Sequence, residues 1–138
     1  MGRRRDERGS AAVELVLLTP LLVSLMLFVV ALGRMASAEG TVDDAARDAA
    51  RSAANARTEP DARRAGDLLA RAVLSENGME CASLDISIDT SDWRAGGSVG
   101  VAISCPIRLA DVAGLGIGGT RTITAHFVEP LDTFRGTR

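Results

Sequence analysis

Four sets of residues in this 138-residue sequence carry functional chemistry by type and spacing. The first is Glu14, a carboxylate at the front edge of nineteen consecutive uncharged residues, Leu15 to Gly33. An acid at membrane depth costs roughly 2–3 kcal/mol on insertion scales, so a membrane segment seldom keeps one without a use for it. Gly9 stands five residues before it. A cut after Gly9 creates an α-amino group on Ser10, four residues from Glu14. In a stack of such helices that amine on one subunit can pair with Glu14 of the next, offsetting both desolvation costs. The alternative leaves Glu14 among lipid headgroups near the positive end of the helix dipole, paired with nothing.

The second set is Cys81 and Cys105, both beyond the apolar run and each beside a strand-like stretch. In an extracytoplasmic compartment they are expected to form a disulfide, and closing that loop contributes on the order of 3 kcal/mol. Two free buried thiols are the other reading. A metal site is not expected, because His126 is the only histidine and zinc usually needs four ligands. The third set is His126 with the acids Asp85, Asp89 and Asp92. The histidine falls on the polar side of its strand, without a Ser or Asp partner in motif spacing, and the acids lack the spacing of a calcium loop. The fourth, Gly114-x-Gly116-x-x-Gly119, spells a dinucleotide fingerprint, but a strand-like rather than helical segment follows it. No catalytic constellation, cofactor or small-molecule substrate is therefore expected. A net charge of −2 argues against nucleic acid as a partner.

The elements that position these residues begin with the apolar run. Nineteen helical residues span about 28 Å, close to a bilayer's hydrocarbon thickness. Arg3, Arg4, Arg5 and Arg8 precede it, so the positive-inside rule keeps the N-terminus cytoplasmic and sends the remainder outward. Pro20 lies inside the run and withholds a donor from the Val16 carbonyl, which predicts a kink or a local loosening. Neighbouring helices or the hydroxyls of Thr19 and Ser24 are candidates to satisfy that carbonyl. Several processing fates compete. Secretory cleavage after Ala38 fits the small residues of Ala36-Ser37-Ala38, but the run is longer than a signal core and Arg34 interrupts it. A twin-arginine signal fits poorly, since Asp6 and Glu7 follow the arginines. An uncleaved signal anchor explains the length but gives Glu14 no role. Cleavage after Gly9 leaves the whole apolar helix on the mature protein and explains Glu14, so it ranks first.

Arg8-Gly9-Ser10-Ala11-Ala12-Val13-Glu14-Leu15-Val16, then Leu18-Thr19-Pro20-Leu21-Leu22 and the exit Gly33-Arg34, resemble the N-terminus of TadE-like proteins. These are minor pseudopilins of the tight-adherence (Flp-type) pilus, in the type IV filament superfamily. The sequence departs from the family pattern at Leu15 and Val16, where phenylalanine and alanine are usual. The close resemblance covers about residues 8–35. It implies processing at Gly9-Ser10 by a prepilin peptidase and a role for Glu14 in subunit recognition. It also implies partners among other pilins, a secretion ATPase and a membrane assembly platform. The alternative is a signal-anchored envelope domain with a binding or sensing role.

Beyond the membrane, Thr41 to Arg57 reads as helix, with Ala45, Ala46, Ala49, Ala50, Ala53 and Ala54 forming a small-residue face. Asp43 with Arg47 and Asp48 with Arg51 are spaced for side-chain pairs. The helix is a candidate continuation of the membrane helix, with Gly33 and Gly40 as weak points of about 1 kcal/mol each. Its alanine face suits packing on a sheet or a neighbouring subunit, and equally an ordinary soluble helix. A second helix opens at Pro60 with Ala62, Ala65, Leu69, Ala72 and Val73 on one face, and ends at Asn77-Gly78. Alternating apolar residues then mark three strands: Leu84, Ile86 and Ile88; Val99, Val101, Ile103 and Cys105; Ile123, Ala125 and Phe127, closed by Pro130. Only Trp93, Phe127 and Phe134 are aromatic beyond the apolar run, so the core is thin. The expected class is α+β and pilin-like: a single transmembrane helix continuing into an alanine-rich helix, packed on a small antiparallel sheet. The expected organisation is a basic leader over 1–9, a transmembrane helix over 10–34 and an extracytoplasmic domain over 35–138.

Overall fold

The computed structural model describes residues 7–109 and 118–134, with side chains from Val13 onward at the N-terminal end. Five elements follow in order: α1 (Glu7–Ala54), α2 (Glu59–Glu76), β1 (Asp85–Asp92), β2 (Ser98–Arg108) and β3 (Thr120–Pro130). The class is α+β, as expected.

Helix α1 runs unbroken for 48 residues, a reach of about 72 Å. Apolar and alanine-rich stretches join without interruption at Gly33 and Gly40, where open space surrounds both glycines. It is also continuous across Pro20. Thr19 Oγ1 donates to the Leu15 carbonyl at 2.6 Å and Ser24 Oγ to the Pro20 carbonyl at 2.7 Å. Each hydroxyl thus back-bonds four residues up its own helix, the ordinary pattern for Ser and Thr, and neither takes the Val16 carbonyl.

The alanine face is buried where the spacing predicts. Ala45, Ala49, Ala50 and Ala53 have no exposed surface, and Ala46 and Ala54 are buried beside them. Ala45, Ala46, Ala49 and Ala50 pack in a cluster with Ala70, Leu74, Val101, Ile103, Cys105, Ile107, Ile123 and Ala125, while Ala53 and Ala54 cluster with Ala62, Val99 and Leu131. Small side chains let helix backbones come close. Arg47 departs from its expected pairing with Asp43 and lies over the Phe127 ring, 5.3 Å from its centroid.

Helix α2 is capped by Thr58, whose hydroxyl accepts from the Asp61 amide at 3.3 Å, so Pro60 sits at the second helical position rather than the first. The chain leaves the helix through Gly78, whose φ of +65° suits a residue without Cβ, and Met79 N closes on the Leu74 carbonyl at 2.9 Å. Its buried stripe is Ala62, Gly66, Ala70 and Leu74. That differs from the expected face, because the contact is centred on a glycine. A Cβ at Gly66 would stand 2.7 Å from Ile88 Cδ1 and 3.4 Å from the Ala49 carbonyl oxygen. Leu68 and Ala72 face solvent.

The sheet is antiparallel in the order β1-β2-β3. Ile88 stands beside Val101, and Val101 beside Phe127; one step along, Ser87, Ala102 and His126 form the matching row. Alternation sends Val99, Val101, Ile103, Cys105 and Ile107 inward beneath the helices. The strands fall where the alternating residues place them, except that Leu84 lies just before β1. An irregularity between Asp89 and Asp92 breaks the register at the end of β1.

Candidate functional site

The sequence-predicted site lies on α1, and the helix divides into two environments. From Val42 through Ala54 its inner face is buried by the chain's own sheet and second helix. From Val13 through Val30 its large apolar side chains are exposed, with Val16 at 71% and Met26 at 70%. An 18-residue window of the helix has a mean hydropathy of 2.8 and none of it is buried within the chain. Apolar surface in water costs about 25 cal/mol per Å², so a continuous exposed sleeve of this kind calls for an apolar environment outside the chain. One N-terminal helix is long and apolar enough to cross a membrane, and it suggests membrane anchoring.

Gly9 and Ser10 fall in the first turns of α1, and Glu14 follows on the same helix. Helical spacing sets Ser10 and Glu14 on one face, four residues apart. Glu14 is exposed and stands where the apolar sleeve begins. Pro20 is one turn and a half further along.

Where the sleeve ends, the folded part begins at once. Arg121 at the start of β3 donates through Nη2 to Glu39 Oε1 at 2.7 Å and through Nη1 to Met35 Sδ at 3.0 Å. Glu39 is only five residues past Arg34, about 7.5 Å of helix. The folded part is therefore tied to α1 within a turn or two of the apolar run, with no linker between them. An exposed pair of this type adds at most about 1 kcal/mol, and its main consequence is position.

Cys81 and Cys105 are bonded, with a Cα–Cα distance of 5.1 Å. Cys105 is fully buried on the inner face of β2, and the bond ties the α2–β1 connection to the core. The neighbouring amide of Ala82 donates to the Pro106 carbonyl at 2.7 Å. The free-thiol reading is thereby set aside.

A second staple was not foreseen from sequence. Thr90, buried in β1, donates to Glu59 Oε1 at 2.7 Å and accepts from Arg63 Nη2 at 2.7 Å, while Arg63 bonds Glu59 at 2.6 Å. The Thr90 hydroxyl and then Arg63 hold the Glu59 carboxyl below its ordinary pKa. The Glu59–Arg63 spacing was a legible signal; the third member, 27 residues on, was not.

Of the remaining candidates, His126 and Asp89 come near each other, on either side of Gly100. Asp89 Oδ1 accepts from the Ser91 amide at 2.9 Å, and this bond lowers its pKa, while Asp92 pairs with Arg94. His126 is exposed on the outer face of the sheet, away from the helices. Among the described residues, no three His, Cys, Asp or Glu side chains are gathered as a metal site would require. Gly114 and Gly116 lie outside the described residues; Gly119, the last of that glycine set, leads directly into strand β3.

Comparison with known proteins yields one family. Residues 9–51 match the family model described as TadE-like protein, a stretch that starts at Gly9 and follows α1 almost to its end. No curated protein and no solved structure matches. Over this first helix the chain is similar to TadE-like proteins, and that similarity suggests a protein associated with the Tad pilus.

Proposed function

We propose that the protein is a membrane-anchored, TadE-like minor pseudopilin that acts in assembly of a tight-adherence pilus through helix–helix packing of α1. The observation that carries this reading is the coincidence of the family match with the exposed apolar half of α1. In this reading residues 1–9 are a cytoplasmic leader, residues 10–34 span the membrane, and residues 35–138 form an extracytoplasmic, pilin-like domain. A prepilin peptidase cuts after Gly9. The new amine at Ser10 of one subunit then meets Glu14 of its neighbour, where both charges sit at the edge of the hydrocarbon and neither can be left alone cheaply. The bonded cysteines agree with an extracytoplasmic location. The protein is read as structural rather than catalytic.

Glu14→Ala tests this reading. It should leave the protein in the membrane, with its folded domain intact, and should abolish self-association and pilus assembly. Unchanged assembly would count against a recognition role for Glu14.

A further inference from the structure

The two edges of the sheet differ in a way that specifies how copies can join. Strand β3 pairs, among the described residues, with β2 alone, and it is eleven residues long without a register break. It has no acid from Thr120 through Val128, and its outer face offers the hydroxyls of Thr122 and Thr124 and the imidazole of His126. A long, unbroken edge of this kind is a template for strand addition. The opposite edge, β1, presents exposed Asp85 and Asp89 on the same face. Two β1 edges would repel each other.

The anchor restricts the remaining combinations. Strand β3 begins beside Met35 and Glu39, next to the apolar run, and Leu131 just beyond its end clusters with Ala53 and Ala54. It therefore runs away from the membrane. Two successive antiparallel pairings make β1 run the same way. Antiparallel pairing of two β3 edges would turn one anchor upside down. A two-fold axis along the strands keeps both anchors upright, but it sets N–H against N–H across the joint. Only β3 against the β1 of a second copy satisfies both the bilayer and the backbone.

We propose that β3 of one copy docks parallel to β1 of the next, extending the sheet head to tail through an open-ended row of this same chain. For copies anchored at one depth, the row Ser87–Ala102–His126 places His126 beside Ser87 of the next copy. Asp85 and Asp89 of that copy then lie diagonally to either side, as acceptors for the imidazole and for Thr124. The contact is heterologous, so it propagates rather than closing into a dimer. It rests on the reading of α1 as a membrane anchor and adds an interface between the folded domains to the packing of α1.

The test is disulfide cross-linking of the full-length chain in membranes, with Cys81 and Cys105 left in place. Ser87 and His126 are exposed, so Ser87→Cys and His126→Cys should not disturb the fold. Adjacent strands are about 4.8 Å apart, within reach of a disulfide. Mild oxidation should give a dimer when the two variants are co-expressed, none with either alone, and a ladder of multimers when both changes are in one chain. A dimer formed as readily by His126→Cys alone would overturn the proposal in favour of a symmetric contact. Membrane-bound chain that gives no mixed dimer would overturn the docking while leaving the anchor standing. Chain absent from the membrane fraction would overturn both.

Discussion

The N-terminal and C-terminal halves of α1 are one continuous helix, yet they solve opposite problems. The C-terminal half is built from alanine, with little apolar surface per residue, and the chain buries all of that face itself. The N-terminal half is built from leucine, valine and methionine, and the chain buries almost none of it. Side-chain size accounts for the difference. Alanine gains little from burial but allows α2 and the sheet to approach closely, whereas a leucine-rich sleeve gains most from an environment that surrounds it on every side. One half serves the fold and the other serves something outside it.

Substitutions can break this comparison, and the largest effect should fall on the folded half. Replacing Cys81 and Cys105 together with serine should cost the domain on the order of 3 kcal/mol, read by urea unfolding, and leave membrane attachment untouched. The thin core makes that loss large against a typical total of about 5–15 kcal/mol. In the other half, Val23→Arg should raise the cost of insertion by about 2.5–3.5 kcal/mol. It should deplete the chain from membranes without changing the unfolding midpoint of the folded domain. Ala49→Leu should destabilise that domain by about 1–3 kcal/mol through overpacking against Gly66 and the sheet. Val29→Leu, the corresponding small enlargement in the exposed half, should be silent in the same assay. If both enlargements were equally costly, the division of α1 would be wrong.

The smallest predicted effect is on pH dependence. The fold lowers the pKa of Glu59, so the unfolded chain takes up that proton first as pH falls. The stabilisation is present above the ordinary carboxylate pKa and is lost as pH falls through the lower, folded value. Glu59→Gln should therefore lower stability near neutrality, leave the acid end little changed, and so flatten the acid limb of a stability-against-pH curve.

Much of the architecture was legible because period and residue type agreed. The six alanines on α1 marked a helix face by their spacing, though not what would cover it, and the alternating apolar residues marked the three strands. The face of α2 was misread because glycine has no hydrophobic signal. Gly66 matters through what it lacks, and only the position of Ile88 and Ala49 reveals that. The Glu59–Arg63–Thr90 cluster was half visible, since helical spacing exposes the first pair while the partner on β1 depends on how α2 lies over the sheet. Pro20 has the same limitation from the other side. Sequence identified the carbonyl it deprives, but rotamer geometry sent both nearby hydroxyls elsewhere. Gly9, Ser10, Glu14 and Pro20 are read from spacing along one chain, and all four lie on α1. The edge-strand contrast needed strand order and direction, which no single segment contains.

The central claim is that the exposed half of α1 stays on the mature protein, with Ser10 as its first residue. Intact-mass and N-terminal peptide measurement of the membrane-bound protein, made with the matching prepilin peptidase present, tests it most directly. The account predicts a mature chain that begins at Ser10 and retains Glu14 and the whole apolar helix. A chain that begins at Glu39, or that keeps its leader intact under those conditions, would contradict it.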